Sequence, residues 1–136
     1  MRQDKMSSKT LKIVFLGSKL DPNNVTNTLG ITPTDSYEKG FQRIRNGKKS
    51  KPRNVGMWCY KSEITSPLED ELDSLLAMFE ELSATSIHEA DRSSLHIYLG
   101  LSNDESVIES SFDFSISQKT LNKIIKMGLD LRVTIN

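Results

Sequence analysis

Cysteine is almost missing from this chain. Cys59 stands alone, so no internal disulfide can form and a secreted disulfide scaffold is excluded. A reducing compartment fits, and the cytoplasm is the expected location. Histidine is nearly as scarce, with His88 and His96 the only two, and no His–His or Cys–His ligand spacing exists, so no metal site is expected. Long apolar runs are lacking as well. The run Ile13–Leu16 near the N-terminus is far too short for a membrane span or a signal-peptide core. An excess of either charge is also absent, because 18 basic residues meet 18 acidic ones, so any electrostatic message must lie in how the charges are distributed.

Catalytic signatures are missing too. Gly17, Gly30 and Gly40 are too far apart for a dinucleotide or nucleotide phosphate loop, and no Gly-x-Ser-x-Gly elbow occurs. The acidic stretches Glu69–Asp73 and Asp104–Glu109 lack the calcium-loop pattern. His88 beside Glu89 and Asp91 could act as an acid–base pair only by accident of folding, and His96, between Leu95 and Ile97, reads as a strand-face residue. The expectation is a non-enzyme with no catalytic residues and no cofactor.

What remains is a chain of 136 residues, the length of one domain. A loosely ordered terminus over 1–9 is expected before a single domain over 10–136. Leu11–Leu16 (LKIVFL) is apolar and β-branched and reads as a buried first strand. Asp21 can cap a helix that starts at Pro22 and stops at Gly30, with Val25 and Leu29 on one face. Thr32-Pro33-Thr34-Asp35 is turn chemistry, and Tyr37–Ile44 reads as a second strand with a bulge at Gly40. Asn46–Asn54 (NGKKSKPRN) is an exposed hairpin tip or loop.

Val55–Glu63 (VGMWCYKSE) reads as a third strand, with Met57 and Cys59 on one face and Trp58, expected in the core, and Tyr60 on the other. Ser66-Pro67-Leu68-Glu69 resembles a capping box, and Leu68, Leu72, Leu75, Leu76, Phe79 and Leu82 behind it keep helical spacing, with a further helical turn over Ala84–Arg92. Leu95–Leu101 and Ser111–Ile116 read as strands of a hairpin joined by Asn103–Glu109. Ser117 can cap a last helix with Leu121, Ile124 and Ile125 inward and Gly128 as its stop, before a closing strand over Leu129–Ile135. The element order is then βαββαββαβ, an α+β fold expected as a ferredoxin-like two-layer sandwich with a mostly antiparallel sheet and helices on one face. Two strand–helix units end alike, at Leu29-Gly30-Ile31 and Met127-Gly128-Leu129, which is either a duplicated unit or a common way to stop a helix.

Two charged surfaces are candidates for binding. Lys39, Arg43, Arg45, Lys48, Lys49, Lys51 and Arg53 run without an intervening acid, flanked by Tyr37, Phe41 and Trp58. Such a run suits a phosphate backbone with stackable bases, an acidic protein partner, or a solvated edge that resists aggregation. The outer face of the second helix carries Glu69, Asp70, Glu71, Asp73, Glu80 and Glu81, an acidic surface that could mimic nucleic-acid charge.

Leu20-Asp21-Pro22, Val25-Thr26, Leu29-Gly30-Ile31-Thr32-Pro33-Thr34, Lys39-Gly40 and Gly56-Met57-Trp58 resemble the bacterial domain-of-unknown-function family numbered 4279 over nearly the whole chain. The resemblance implies a bacterial, cytoplasmic, non-enzymatic protein and supplies no catalytic residues. By association with small bacterial α+β proteins of this kind, it implies an immunity protein that occludes the active site of a cognate toxin. The alternative expectation is a nucleic-acid-binding module using the basic hairpin over 39–53; no membrane partner is expected.

Overall fold

The structure is a computed structural model and describes residues 8–80, 89–100 and 115–135. Strand β1 (Ser8–Gly17) is followed by helix α1 (Pro22–Leu29), then β2 (Asp35–Tyr37), β3 (Ile44–Arg45), β4 (Lys48–Lys49), β5 (Gly56–Glu63), α2 (Leu68–Met78), β6 (Arg92–Gly100), α3 (Gln118–Lys126) and β7 (Asp130–Ile135). Five strands form a mixed sheet in the order β2-β5-β1-β6-β7, while β3 and β4 form a separate two-stranded sheet. The fold is therefore α+β, built on a mixed sheet in which three of the four strand pairings are antiparallel. β1 lies between β5 and β6 and is antiparallel to both, and β7 runs parallel to β6.

Each helix closes a parallel crossover, from β1 to β2, from β5 to β6 and from β6 to β7. The first moves across the sheet one way, and the other two start from strands of opposite direction and move the other way. A half turn in the sheet plane interchanges these cases, so a single crossover hand puts the three described helices on one face. The core confirms this: Leu11, Ile13 and Phe15 of β1, Trp58 of β5 and Leu95, Ile97 and Leu99 of β6 pack with Val25, Leu72, Leu75, Leu76, Phe79 and Ile124. Trp58 is fully buried, and its indole N–H donates to Thr26 Oγ1 at 3.0 Å.

The local signals of α1 hold. Asp21 accepts from the Asn23 N–H, Pro22 opens the helix, and Gly30 closes it at φ 70°. Gly128 likewise takes left-handed backbone, φ 73°, but one residue past the Met127 cap of α3, and β2 is separated from β1 by β5 whereas β7 lies directly beside β6. The strand expected over Tyr37–Ile44 does not form as one element. Gly40, at φ 91°, turns the chain out of the sheet instead of making a bulge, and β2 ends at Tyr37.

The capping box at α2 is also corrected. Pro67 has extended backbone and occupies the cap position itself, so the helix starts one residue later and Glu69 no longer has the spacing to reach back. Glu71 does this instead, accepting from the Ser66 hydroxyl at 2.7 Å and from the Thr65 N–H. In α3, Ser117 caps as expected, yet Thr120 and Ile124 are the buried pair, while Leu121 is 36% and Ile125 72% exposed. The Thr120 hydroxyl finds carboxylate partners on α2, which rotates the i, i+4 pair 120/124 inward. The expected strand over Ser111–Ile116 lies outside the described residues except for Ser115 and Ile116, which belong to no strand. The expected loop over Asn103–Glu109 and residues 81–88 of the second helical region, with His88, also lie outside them.

Candidate partner-binding site

The chain leaves the main sheet after Tyr37 and returns at Gly56, and the excursion between is a small hairpin. Asn46 (φ 54°) and Gly47 (φ 75°) both take left-handed backbone, which a tight two-residue turn requires and which Asn-Gly supplies with little strain. Ile44 then pairs with Lys49 and Arg45 with Lys48. The strands are two residues long, so other bonds must hold the base of the hairpin. Gly40 N–H donates to the Arg53 carbonyl at 2.8 Å, Arg53 N–H to the Phe41 carbonyl at 3.0 Å, and Ser50 N–H to the Arg43 carbonyl at 2.8 Å. The Ser50 hydroxyl accepts from Arg43 N–H, and the Gln42 amide donates to the Ser50 carbonyl.

This frame shapes a concavity of about 680 Å³ lined by Arg43, Arg45, Asn46, Lys48, Lys49, Ser50 and Arg53. Five of its seven lining residues are cationic and none is acidic. The ion pair between described residues, Lys123 with Asp73, involves none of these cations. The Arg53 guanidinium lies over the Tyr37 ring, 4.9 Å from its centroid, and Tyr37 stacks on Phe41 with centroids 6.0 Å apart. The cation–π contact holds the guanidinium at the ring, and the Arg53 Nε is buried without a hydrogen-bond partner, a donor left over after the internal contacts are made.

Of the basic residues expected to act together, Arg43, Arg45, Lys48, Lys49 and Arg53 converge on the concavity; Lys39 and Lys51 are exposed but do not line it. The acidic helix face is not one surface. Glu69 accepts from the Ser117 N–H and hydroxyl, Thr120 Oγ1 lies 3.0 Å from Asp73 Oδ1, and Asp73 pairs with Lys123 at 3.6 Å. These bonds hold Glu69 below the ordinary carboxylate range, the Ser117 hydroxyl contributing most. Asp70 and Glu80 are exposed, and Glu81 lies outside the described residues. Sequence reasoning missed Ser50 and Gln42 as framing residues, since short polar side chains in a basic loop carry no signal of which backbone group they bind. No group of three or more potential metal ligands exists among the described residues, and no helix among them is long and apolar enough to cross a membrane.

The profile of the family described as Domain of unknown function (DUF4279) matches residues 7–136. The chain belongs to the DUF4279 family. No curated protein and no solved structure matches it. In this DUF4279 chain the residues that carry the family resemblance have structural work. Asp21, Pro22 and Gly30 start and stop α1, and Thr34 binds β5 through its hydroxyl and its N–H. Gly56 lies so close to Leu20 that a Cβ there would come within 2.2 Å of the Leu20 carbonyl oxygen. The DUF4279 frame thus delivers the basic hairpin to the surface at the β2 edge of the sheet.

Proposed function

We propose that this DUF4279 domain is a non-catalytic, cytoplasmic binding protein whose basic hairpin docks on an acidic surface of a protein partner. The partner in this reading is a toxin that the domain neutralises by covering its active site, as an immunity protein does. The observation that carries the reading is the concavity lined by Arg43, Arg45, Lys48, Lys49 and Arg53 with no carboxylate in its lining. Cations placed together with no carboxylate among them raise association rates with an opposed surface and select against like-charged ones. The acidic helix face supports the alternative docking mode less, because Glu69 and Asp73 are already bonded to α3.

A second reading, binding to single-stranded nucleic acid, is favoured by the Tyr37–Phe41 stack beside Arg53, since stacked aromatics next to cations suit bases next to phosphates. Co-purification separates the two. The chain and an Arg45→Glu/Lys48→Glu/Lys49→Glu variant are each co-expressed with the product of the neighbouring gene, and each is titrated with a fluorescent single-stranded oligonucleotide. The protein-partner reading expects a complex that the triple variant loses and little oligonucleotide binding. Oligonucleotide affinity that falls steeply between about 50 and 200 mM salt, with no complex, decides for nucleic acid.

A further inference from the structure

The face of the sheet opposite the described helices carries a second basic array, set by strand register. Leu11, Ile13 and Phe15 of β1 enter the core, so Lys12 points to the opposite face. Lys12 stands opposite Lys61 of β5 on one side and His96 of β6 on the other, and His96 stands opposite Arg132 of β7. Residues directly opposite share a face, so Lys61, Lys12, His96 and Arg132 form one row across four strands, about 14 Å long at roughly 4.8 Å per strand. Like charges directly opposite one another destabilise a sheet. None of the four makes an ion pair among the described residues. Lys12 and His96, at the centre of the row, are half-buried, where water screens repulsion least.

Acidic groups bound the row. Two positions along the strands, Glu63 stands opposite Thr10 on one side, and Asp35 and Asp130 stand opposite Cys59 and Ser94 on the other. The cationic strip is therefore one row deep, with carboxylates on both flanks towards its ends. A long polyanion leaving the strip would meet those carboxylates, whereas a short one lying over Lys12 and His96 would not. We propose that this row is a binding site for a short chain of phosphate groups, free or carried on a nucleoside.

His96 makes the site responsive to pH. Its imidazole lies 2.7 Å from Thr134 Oγ1, and it faces Lys12 from β1 and Arg132 and Thr134 from β7, with Ser94 and Tyr98 beside it on its own strand; the described helices lie on the other face. Burial first, then Arg132 and Lys12, hold its pKa below the ordinary histidine value. Phosphate oxygens over the row reverse the sign of the local field, so occupancy favours the imidazolium and draws in a proton.

The test is calorimetric titration of the full chain at fixed ionic strength with sodium tripolyphosphate and, separately, with a nucleoside triphosphate. Tighter binding of one or the other identifies the source of the phosphates. Affinity is expected to rise at least about threefold from pH 8 to pH 6, and His96→Gln to bind without that dependence. Lys12→Met is expected to lose at least about tenfold in affinity while melting no lower than the wild type, because it relieves repulsion and keeps its apolar stem. Arg132→Gln, at an exposed edge position, provides the same test if Lys12→Met misfolds. Lys48→Ser/Lys49→Ser on the hairpin is expected to bind as the wild type does. The proposal is overturned if neither compound binds, if the row variants bind unchanged, if the hairpin variant loses binding, or if a single-stranded oligonucleotide binds the row more tightly than tripolyphosphate.

Discussion

Glu69 on α2 accepts a hydrogen bond from the Ser117 hydroxyl at 2.6 Å, across 48 residues of chain. Thr120 Oγ1 lies 2.5 Å from the same carboxylate, so one acid on a face that reads as solvated clamps the N-terminus of α3 to α2. A negative group at a helix N-terminus is also favoured by the helix dipole.

Glu69→Ala should therefore lower the melting temperature, and the loss should depend on pH. The folded state holds the Glu69 pKa below its ordinary value of 4.5, so the unfolded chain takes up the proton first as pH falls. The clamp contributes fully above about pH 4.5 and fades below it. Thermal melts of wild type and variant should diverge at neutral pH and converge in acid; parallel curves would contradict the clamp.

The Thr26 hydroxyl is the acceptor for the indole N–H of buried Trp58. Thr26→Val keeps the shape and strands that donor, so urea unfolding followed by tryptophan fluorescence should show a loss of about 1–3 kcal/mol. A loss near zero would mean that water reaches the indole.

At Gly56 the obstacle is backbone, the Leu20 carbonyl oxygen, and no side-chain rotation relieves it. Gly56→Ala should cost about 3 kcal/mol or more, beyond ordinary overpacking, whereas Gly47→Ser in the exposed turn should cost less, because its penalty is the left-handed backbone alone, with nothing within 4 Å of the added Cβ. Denaturant midpoints of the two variants check the order.

Local chemistry was the legible part of this fold. Asp21, Pro22 and Gly30 state the bounds of α1 within ten residues, and the leucine spacing states α2. What depends on distant partners was not legible. Thr120 is polar, and only the presence of Glu69 and Asp73 on another helix makes it a better inward residue than Leu121. The basic run was visible as composition, yet which of its members converge depends on the Gly40 turn and the Gln42 and Ser50 bonds. The row through Lys12 and His96 could not be read at all, since it exists only once strand register is set.

The proposed docking surface is the hairpin concavity. The most direct measurement compares the wild type with Arg45→Glu/Lys48→Glu/Lys49→Glu for affinity to the neighbouring gene's product by calorimetry, with circular dichroism to verify the fold. All three residues are exposed and lie on the small sheet outside the core, so the variant should fold and melt as the wild type does. The account predicts a complex weakened at least about a hundredfold by the reversal; a folded variant that binds as tightly as the wild type would contradict it.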